Sequence, residues 1–348
     1  MKNYNDYINY SKKIYDIHMS MSVLNWDMET HMPKNGNKFR AQQLSTLAKI
    51  AYELETNFKY GKLLERLLKD KTLNKDQKRN ISLSNKQFIK KQKYSAEFIQ
   101  KQSTLISKAF KDWRTAKEKN DFNLFRKSLS EIVNLRKEES YLLGFNKNPY
   151  DALLDIYEPN LTVNDVDSIF DNVKDYLVPF INKINNSNYI DDSFFYQYYD
   201  QKKQWDFGID LLKKMGYNFD SGRQDISAHP FSTHFSPEDA RVTTRIDENN
   251  LSDMIWSCIH EGGHALYEQG ILSENYGTPL GNSISLGIHE SQSRLWENHV
   301  GRSLAYWKHN FNKLQAYFPN KLKNINYKMF FESNKVSLFY GKGPTRKL

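Results

Sequence analysis

The segment His260-Glu-Gly-Gly-His264 carries residue types and a spacing suited to chemistry at a metal ion. Side chains four positions apart lie on the same face of an α-helix, so both imidazole rings can converge on one ion. A zinc ion with an open coordination position lowers the pKa of its water to about 7, and a neighbouring carboxylate can then accept the proton. We therefore predict that His260 and His264 bind the metal and that Glu261 is the catalytic base.

A third protein ligand must come from outside this helix, because catalytic zinc sites combine three protein ligands with water. The downstream segment Ile288-His-Glu-Ser-Gln-Ser-Arg-Leu-Trp-Glu-Asn298 offers three candidates. Glu290 is the candidate that we favour. His289 and Glu297 stay open as rivals, since imidazole and carboxylate groups both bind zinc and periodicity does not separate them.

The surroundings of the motif argue against a chance match. Apolar residues flank it at Ile255, Ile259 and Leu266, which predicts a mostly buried helix. Buried imidazole and carboxylate groups are costly unless they are paired or bind a metal. Gly262 and Gly263 each cost a helix about 1 kcal/mol relative to alanine, which indicates that another backbone or a substrate approaches closely there.

The rest of the chain is predicted to be mainly α. From Tyr7 to about Asn120, apolar residues recur at intervals of three and four, which is the period of amphipathic helices. The break around Pro33 ends a first helix near Thr30 and starts a second near Lys38.

Two further helical regions are predicted in the middle of the chain. Thr162 has the character of an N-cap, with Asp165 three residues later, and opens a helix that runs toward Tyr176. Helices are also expected over 192–215.

The helical period stops between Ser227 and Ile246, where Pro230, Pro237 and the alternating Arg241-Val-Thr-Thr-Arg-Ile246 predict two short strands. This small β element spans about 227–247. Its second strand is either half of a hairpin or the edge strand that pairs with an extended peptide substrate.

The helical period returns over about 251–269, which carries the motif, and over about 285–305, which carries Glu290. We expect a single domain over residues 1–348, one large helical body with the small β element beside the motif helix.

Composition excludes several classes of protein. The 348 residues are 39% hydrophobic and 14% aromatic, enough for a sizeable core. The net charge of +9 is scattered and forms no dense basic block, so we expect no nucleic-acid partner. No stretch approaches the ~18 apolar residues of a membrane span, and no signal sequence is evident, so we expect a soluble, unprocessed protein. The single cysteine, Cys258, forms no internal disulfide, which favours a reducing cytoplasm.

With these residues assembled, the chain resembles the thermostable metallocarboxypeptidases of the Taq carboxypeptidase family. The matching segments follow the family's order and cover nearly the whole chain up to about residue 336. They are Leu24-Asn-Trp-Asp-Met28 with Met32-Pro33, Arg40-Ala-Gln-Gln-Leu44, His229-Pro-Phe231, Asp239-Ala-Arg-Val-Thr243, His260-Glu-Gly-Gly-His-Ala-Leu-Tyr-Glu-Gln-Gly270, Tyr276-Gly-Thr-Pro279 and Gly287-Ile-His-Glu-Ser-Gln-Ser-Arg294.

The resemblance implies a nearly all-helical, saddle-like homodimer with a zincin-type, neurolysin-like active-site groove. It implies one zinc ion per chain and the release of single C-terminal residues, with broad specificity, from peptides with a free C-terminus. A His/His/Glu site also accepts cobalt. By the same resemblance Glu290 is the third ligand. The residues implied to shape the active-site wall are His229, Asp239, Arg241 and Thr243.

This chain departs from the family in length. Members continue after a stretch like Asn334-Lys-Val336 into segments that supply an arginine for the substrate carboxylate, a tyrosine and further active-site groups. Here the chain reads Ser337-Leu-Phe-Tyr-Gly-Lys-Gly-Pro-Thr-Arg-Lys-Leu348, which we expect to be a truncated or frame-shifted end that impairs turnover. Two other functions stay open: an endopeptidase that uses the same metal site, and an inactive metal-binding remnant.

Overall fold

Helices make up most of the computed structural model, which describes residues 2–186 and 190–340. The expected mainly α fold class is confirmed. The last residues of the tail expected to be altered, 341–348, lie outside the described residues. The α-helices are α1 (Lys2–Thr30), α2 (Asn37–Glu55), α3 (Phe58–Leu68), α4 (Lys75–Lys91), α5 (Ala96–Lys119), α6 (Asn123–Leu143), α7 (Pro149–Tyr157), α8 (Val163–Asn185), α9 (Gln201–Met215), α10 (Leu251–Gln269), α11 (Leu286–Arg294), α12 (Leu304–Tyr317) and α13 (Tyr327–Tyr340).

The described residues form two compact units. The first comes from residues 2–165 with 271–285, and the second from residues 166–186 and 190–270 with 286–340. Each has its own apolar core. The single domain expected over residues 1–348 stays a prediction. No helix in the described part of the chain is long and apolar enough to cross a membrane.

Helix boundaries in the first unit follow the local sequence signals. Helix α1 ends at Thr30 and α2 begins at Asn37, close to the predicted limits. At the start of α8, the backbone N–H of Thr162 donates to Asp165 Oδ2 at 3.0 Å, and the Asp165 N–H donates to Thr162 Oγ1 at 3.3 Å. This reciprocal cap confirms Thr162 as the N-cap.

Two predicted helix limits differ from the structure. Helix α8 does not stop near Tyr176 but continues to Asn185, because apolar positions keep the helical period beyond that point. The helices expected over 192–215 are a short 3-10 helix, Ser193–Tyr196, and α9, which begins only at Gln201. Asp200 ends the preceding loop, and its side chain caps the helix by accepting from the Lys203 N–H at 2.9 Å.

The small sheet lies in the second unit and has three strands: β1 (Gln224–Ile226), β2 (Ser232–Ser236) and β3 (Asp239–Thr244). Their order is β1-β3-β2, with β1 parallel and β2 antiparallel to β3. The two strands predicted between Ser227 and Ile246 are confirmed as β2 and β3. Strand β1 precedes that range and was not predicted, because three residues are too few to show an alternating pattern. The alternative that places Arg241 to Ile246 on an edge strand is wrong, since β1 and β2 pair with both sides of β3.

Helix α10 is the most deeply packed element around the site. It begins after Asn250, whose side chain accepts from the Ser252 N–H at 3.2 Å, and ends at Gln269, as predicted. Its apolar positions Met254 and Ile255 are fully buried in the core of the second unit. This packing fixes the face of α10 that carries the histidines.

The helix predicted over 285–305 is interrupted. Helix α11 ends at Arg294, and the chain continues as a π-helical segment, Leu295–Gly301, before α12. A side chain at Gly301 would come within 2.9 Å of the Trp296 carbonyl oxygen and 3.1 Å of Ile259. The wider π turn is a local irregularity of the kind often found at functional sites, and apolar periodicity does not reveal it.

Helices α10 and α11 approach each other most closely at Gly263. A Cβ atom there would lie 2.7 Å from Ser293 Cα and 2.9 Å from the Gln292 carbonyl oxygen. The expected approach of another backbone is therefore confirmed for this glycine. At the adjacent Gly262, a Cβ atom would meet only flexible side-chain ends, those of Leu212 at 2.7 Å and Met215 at 2.8 Å.

These two glycines make a matched test of the helix contact. We expect Gly263→Ala to lower the free energy of unfolding by about 1–3 kcal/mol, because backbone atoms cannot move aside as side-chain ends can. Gly262→Ala should be close to neutral, since a gain in helix propensity of about 1 kcal/mol offsets the adjustment of its neighbours. Urea unfolding of both variants measures the difference, and equal stabilities would contradict this account.

Candidate metal centre

Three predicted ligands converge in the second unit. Ligand atoms of His260, His264 and Glu290 all lie within 4.8 Å of one another. Glu290 Oε2 is 3.6 Å from His260 Nε2 and 3.2 Å from His264 Nε2. One carboxylate oxygen and two ring nitrogens therefore face a common point.

The two histidines have different surroundings. Burial disfavours the charged form of His260, but a 2.9 Å hydrogen bond from its Nδ1 to Glu297 Oε2 raises its pKa. This bond also leaves Nε2 as the acceptor nitrogen of the neutral ring. Burial, together with the neighbouring His289, lowers the pKa of His264 to about 4, so this ring is neutral at pH 7.

Glu290 is the most exposed of the three groups, and its own helix orients it. Arg294 Nε donates to Oε1 at 2.8 Å, and the Ser293 hydroxyl donates to Oε2 at 3.0 Å. Burial works to raise the pKa of Glu290, but His260 and these two donors lower it overall. The carboxylate is therefore ionised at neutral pH.

Glu261, the predicted base, is 7% exposed. Burial raises its pKa to about 7, although the charge of His260 and a hydrogen bond with Ser232 of β2 oppose the shift. A carboxyl group whose pKa lies near neutral pH can both accept and release a proton under the same conditions.

Glu297 supports the site without joining the ligand group. Its carboxylate binds His260 Nδ1 at 2.9 Å, Arg302 at 2.9 Å and Arg294 at 3.0 Å. Burial alone would raise its pKa, but the hydrogen bonds with His260 and Arg302 lower it to about 2. A carboxylate that holds the second nitrogen of a metal-binding histidine fixes the orientation of the ring.

The residues expected in the active-site wall lie on and beside the sheet. Arg241 and Asp239 pair with each other through two hydrogen bonds, at 2.7 and 2.8 Å. The buried Thr243 hydroxyl accepts from the Phe231 N–H at 2.9 Å and so holds the loop that contains the exposed His229. Their place in a substrate-binding wall stays a prediction.

Beside the ligand group, Glu268 contacts His289 and His234, and the sequence analysis did not identify this part of the site. It treated His289 and Glu297 as rival ligands, although neither belongs to the ligand group, and it passed over Glu268 and His234. Glu268 follows His264 by four residues on one helix face, so the spacing was a usable signal. His234 comes from β2, and no sequence pattern connects it with the motif.

The donor set suits a transition metal such as zinc. Two imidazole nitrogens and one carboxylate oxygen are the protein ligands of a known class of catalytic zinc site. The hydrogen bond of His260 and the low pKa of His264 leave both rings with a nitrogen free to coordinate. The residues present therefore fit a metal of this kind.

Comparison with known proteins connects this geometry with a family. A family model described as carboxypeptidase Taq (M32) metallopeptidase matches residues 6–338. Carboxypeptidase 1 of Bacillus subtilis is 35% identical over 326 residues, which are 91% of this chain and 65% of that protein. Thermostable carboxypeptidase 1 of Pyrococcus furiosus is 32% identical over 332 residues, 94% of this chain and 65% of that protein.

Solved structures of related proteins have the same fold as this chain. The crystal structure of an M32 carboxypeptidase from Deinococcus radiodurans R1 is 31% identical, with a TM-score of 0.88 over 96% of this chain and 67% of that chain. This chain covers 65% of the length of each of the two sequence relatives, which is slightly less than two thirds.

The support that Glu297 gives can be tested by its removal. We expect Glu297→Ala to lower the free energy of unfolding by about 3 kcal/mol, because a buried carboxylate that binds two arginines and a histidine is lost. The exposed neighbour Asn298 provides the control, and Asn298→Ala should stay within about 0.5 kcal/mol of the parent protein. Thermal and urea unfolding measure both, and a stable Glu297→Ala variant would contradict the assignment.

Proposed function

Because this chain belongs to the carboxypeptidase Taq (M32) metallopeptidase family, we propose that it is a zinc metallocarboxypeptidase with broad specificity. It releases single C-terminal amino acids from peptides that have a free C-terminus. The proposed ligands are His260, His264 and Glu290, with one metal ion per chain, and Glu261 is the proposed base. Cobalt is a second metal that this donor set accepts.

The observation that carries the proposal is the convergence of three ligand atoms beside a buried glutamate. The ligand atoms lie within 4.8 Å of one another. Glu261 is the next residue after His260, and its pKa of about 7 suits proton transfer near neutral pH. Peptide hydrolysis needs a polarised carbonyl and a group that moves a proton from water to the leaving amine.

The metal ion and the surrounding side chains have separate roles in this reaction. A zinc ion bound here would supply Lewis acidity toward water and the peptide carbonyl oxygen. Glu261 accepts a proton from the attacking water on its carboxylate and then donates it to the leaving amine nitrogen. Glu297 holds the ring of His260 through Nδ1, and Ser293 and Arg294 hold the carboxylate of Glu290.

The decisive variant is Glu261→Gln. The amide keeps the size of the side chain but accepts no proton from water, so we expect hydrolysis of an N-blocked dipeptide to fall by about 10²- to 10⁴-fold. Metal content, measured on the same samples, should stay at one per chain. The exposed Glu332 gives a matched control, Glu332→Gln, which should keep full activity. Unchanged turnover in Glu261→Gln would refute the assignment of the base.

The same assay separates the alternative functions. Amidation of the dipeptide's C-terminus should abolish hydrolysis by a carboxypeptidase, whereas an endopeptidase would cleave internal bonds of longer, amidated peptides. Stoichiometric metal without hydrolysis of any peptide would favour an inactive metal-binding remnant.

We also propose a cytoplasmic location and a homodimer. The single cysteine, Cys258, is buried, and burial raises its pKa to about 12, which suits a protein without disulfides in a reducing compartment. Helix α8 supports association, because it exposes a row of large apolar side chains at helical spacing. These side chains are Ile169 (54% exposed), Phe170 (65%), Val173 (48%) and Tyr176 (72%).

Association through α8 has a simple test. A charge in the apolar row, Phe170→Asp, should shift the sedimentation profile from dimer to monomer, because a symmetric interface would bury the new carboxylate twice. Asp171→Ala, on the opposite face of the helix, should leave the dimer intact. A dimer that persists in Phe170→Asp would place the interface elsewhere, and a monomeric parent protein would refute the homodimer.

A further inference from the structure

The ring of His264 lacks the support that holds His260. A metal-binding histidine usually donates its second ring nitrogen to a carboxylate or carbonyl group, which fixes the plane of the ring. His260 follows this rule through Glu297. The Nδ1 atom of His264 is buried and has no hydrogen bond of ordinary geometry among the described residues, although the backbone of His289 still influences its pKa. Contacts other than an ordinary hydrogen bond therefore contribute to the orientation of this ring.

A second imidazole lies flat against it. The ring centroids of His264 and His289 are 4.4 Å apart, and the planes differ by only 15°. Tyr267 packs its ring edge-on against His289, with centroids 5.3 Å apart. A flat neighbour at this distance restricts rotation of the His264 ring about its side-chain bonds.

His289 is itself fixed by a buried carboxylate. Its Nε2 lies 2.7 Å from Glu268 Oε1. His234 Nδ1, on strand β2, lies 3.3 Å from the same oxygen. The Glu268 side chain is 5% exposed and His289 is 17% exposed, so the pair is shielded from water.

The location of Glu268 connects this cluster with the ligand. Glu268 follows His264 by four residues, so both side chains lie on the same face of α10, one turn apart. His289 inserts from α11 and contacts both of them. Because its Nε2 is committed to Glu268, and because it lies outside the ligand group, His289 is placed to orient a ligand and not to act as one.

We propose that His289 is the positioning residue of His264: its ring holds the ligand ring by stacking, Glu268 holds His289, and His234 in turn contacts Glu268. This inference rests on the proposed metal site. The two ligand histidines are then oriented by different means, His260 by a hydrogen bond to a carboxylate and His264 by a ring that a carboxylate anchors.

The test measures metal affinity, by competition with a chromogenic chelator, for three variants of His289. His289→Ala removes the ring, and His289→Gln keeps a donor for Glu268 without an aromatic ring. His289→Phe keeps the flat ring without the donor. We expect about 10- to 100-fold weaker metal binding in the Ala and Gln variants, and a smaller loss in the Phe variant. The cobalt-loaded Ala variant should also show an altered visible absorption spectrum, because the His264 ring is free to tilt.

A control separates positioning from a purely structural role. Thermal unfolding of the metal-free proteins reports structural damage. Glu268 loses its donor in both the Ala and the Phe variant, but we expect the damage to be largest for His289→Phe, because the ring leaves no space for water to replace that donor. Metal affinity should not follow stability: His289→Phe, although less stable, should bind the metal more tightly than His289→Ala. The exposed His309 supplies a matched variant, His309→Ala, which should change neither measurement.

Each outcome is decisive for one of the two proposals. If the parent protein binds one metal and His289→Ala binds it equally well, positioning by His289 is refuted while the proposed metal site stands. If Phe and Ala lose affinity equally, the stacking argument is wrong. If the parent protein binds no metal, the proposed site fails and this inference fails with it.

Discussion

A glycine backbone packed against another backbone holds together the two helices that carry the proposed metal ligands. At Gly263 a Cβ atom would lie 2.7 Å from Ser293 Cα, so only a residue without a side chain permits the observed distance between α10 and α11. Ligand distances at a metal must be correct within about 0.2 Å. Glu290 lies one turn before Ser293 on α11, so the position of its carboxylate relative to the histidines depends on this contact.

Polar pairs form a row along the contact of α10 with α11 and with the π-helical segment that follows α11. The pairs occur in opposite order along the two sequences, which shows that α10 runs antiparallel to these two segments. Repeats of four residues on α10 keep one face toward the partner helix. The ligands occupy the middle of the row, and a carboxylate–imidazole pair lies on each side of them. In order, the pairs are Glu268 with His289, His264 and His260 with Glu290, and His260 with Glu297.

Sequence patterns predict the helices but only part of the site. The limits of α10 and the N-cap Thr162 can be predicted from the sequence, because the apolar period and the capping residues depend only on positions close together in the chain. Strand β1 and the π-helical segment before Gly301 are not, since three residues show no period and a π turn depends on packing. Within the site, spacing identifies side chains that share a helix, whereas His234 reaches Glu268 only through the folded sheet.

The buried carboxylates of the site differ mainly in the number of donors that face them. Glu297 accepts from His260 and two arginines. Burial alone would raise its pKa, but the hydrogen bonds and charges of His260 and Arg302 hold it at about 2. Glu261 is equally buried, but the charge of His260 and one hydrogen bond with Ser232 offset the effect of burial only in part. Its pKa therefore rises to about 7. A carboxylate with strong partners is fixed as an anion and can only orient its neighbours. A carboxylate with few partners keeps the capacity to exchange protons, which is the property that the proposed role of Glu261 as base requires.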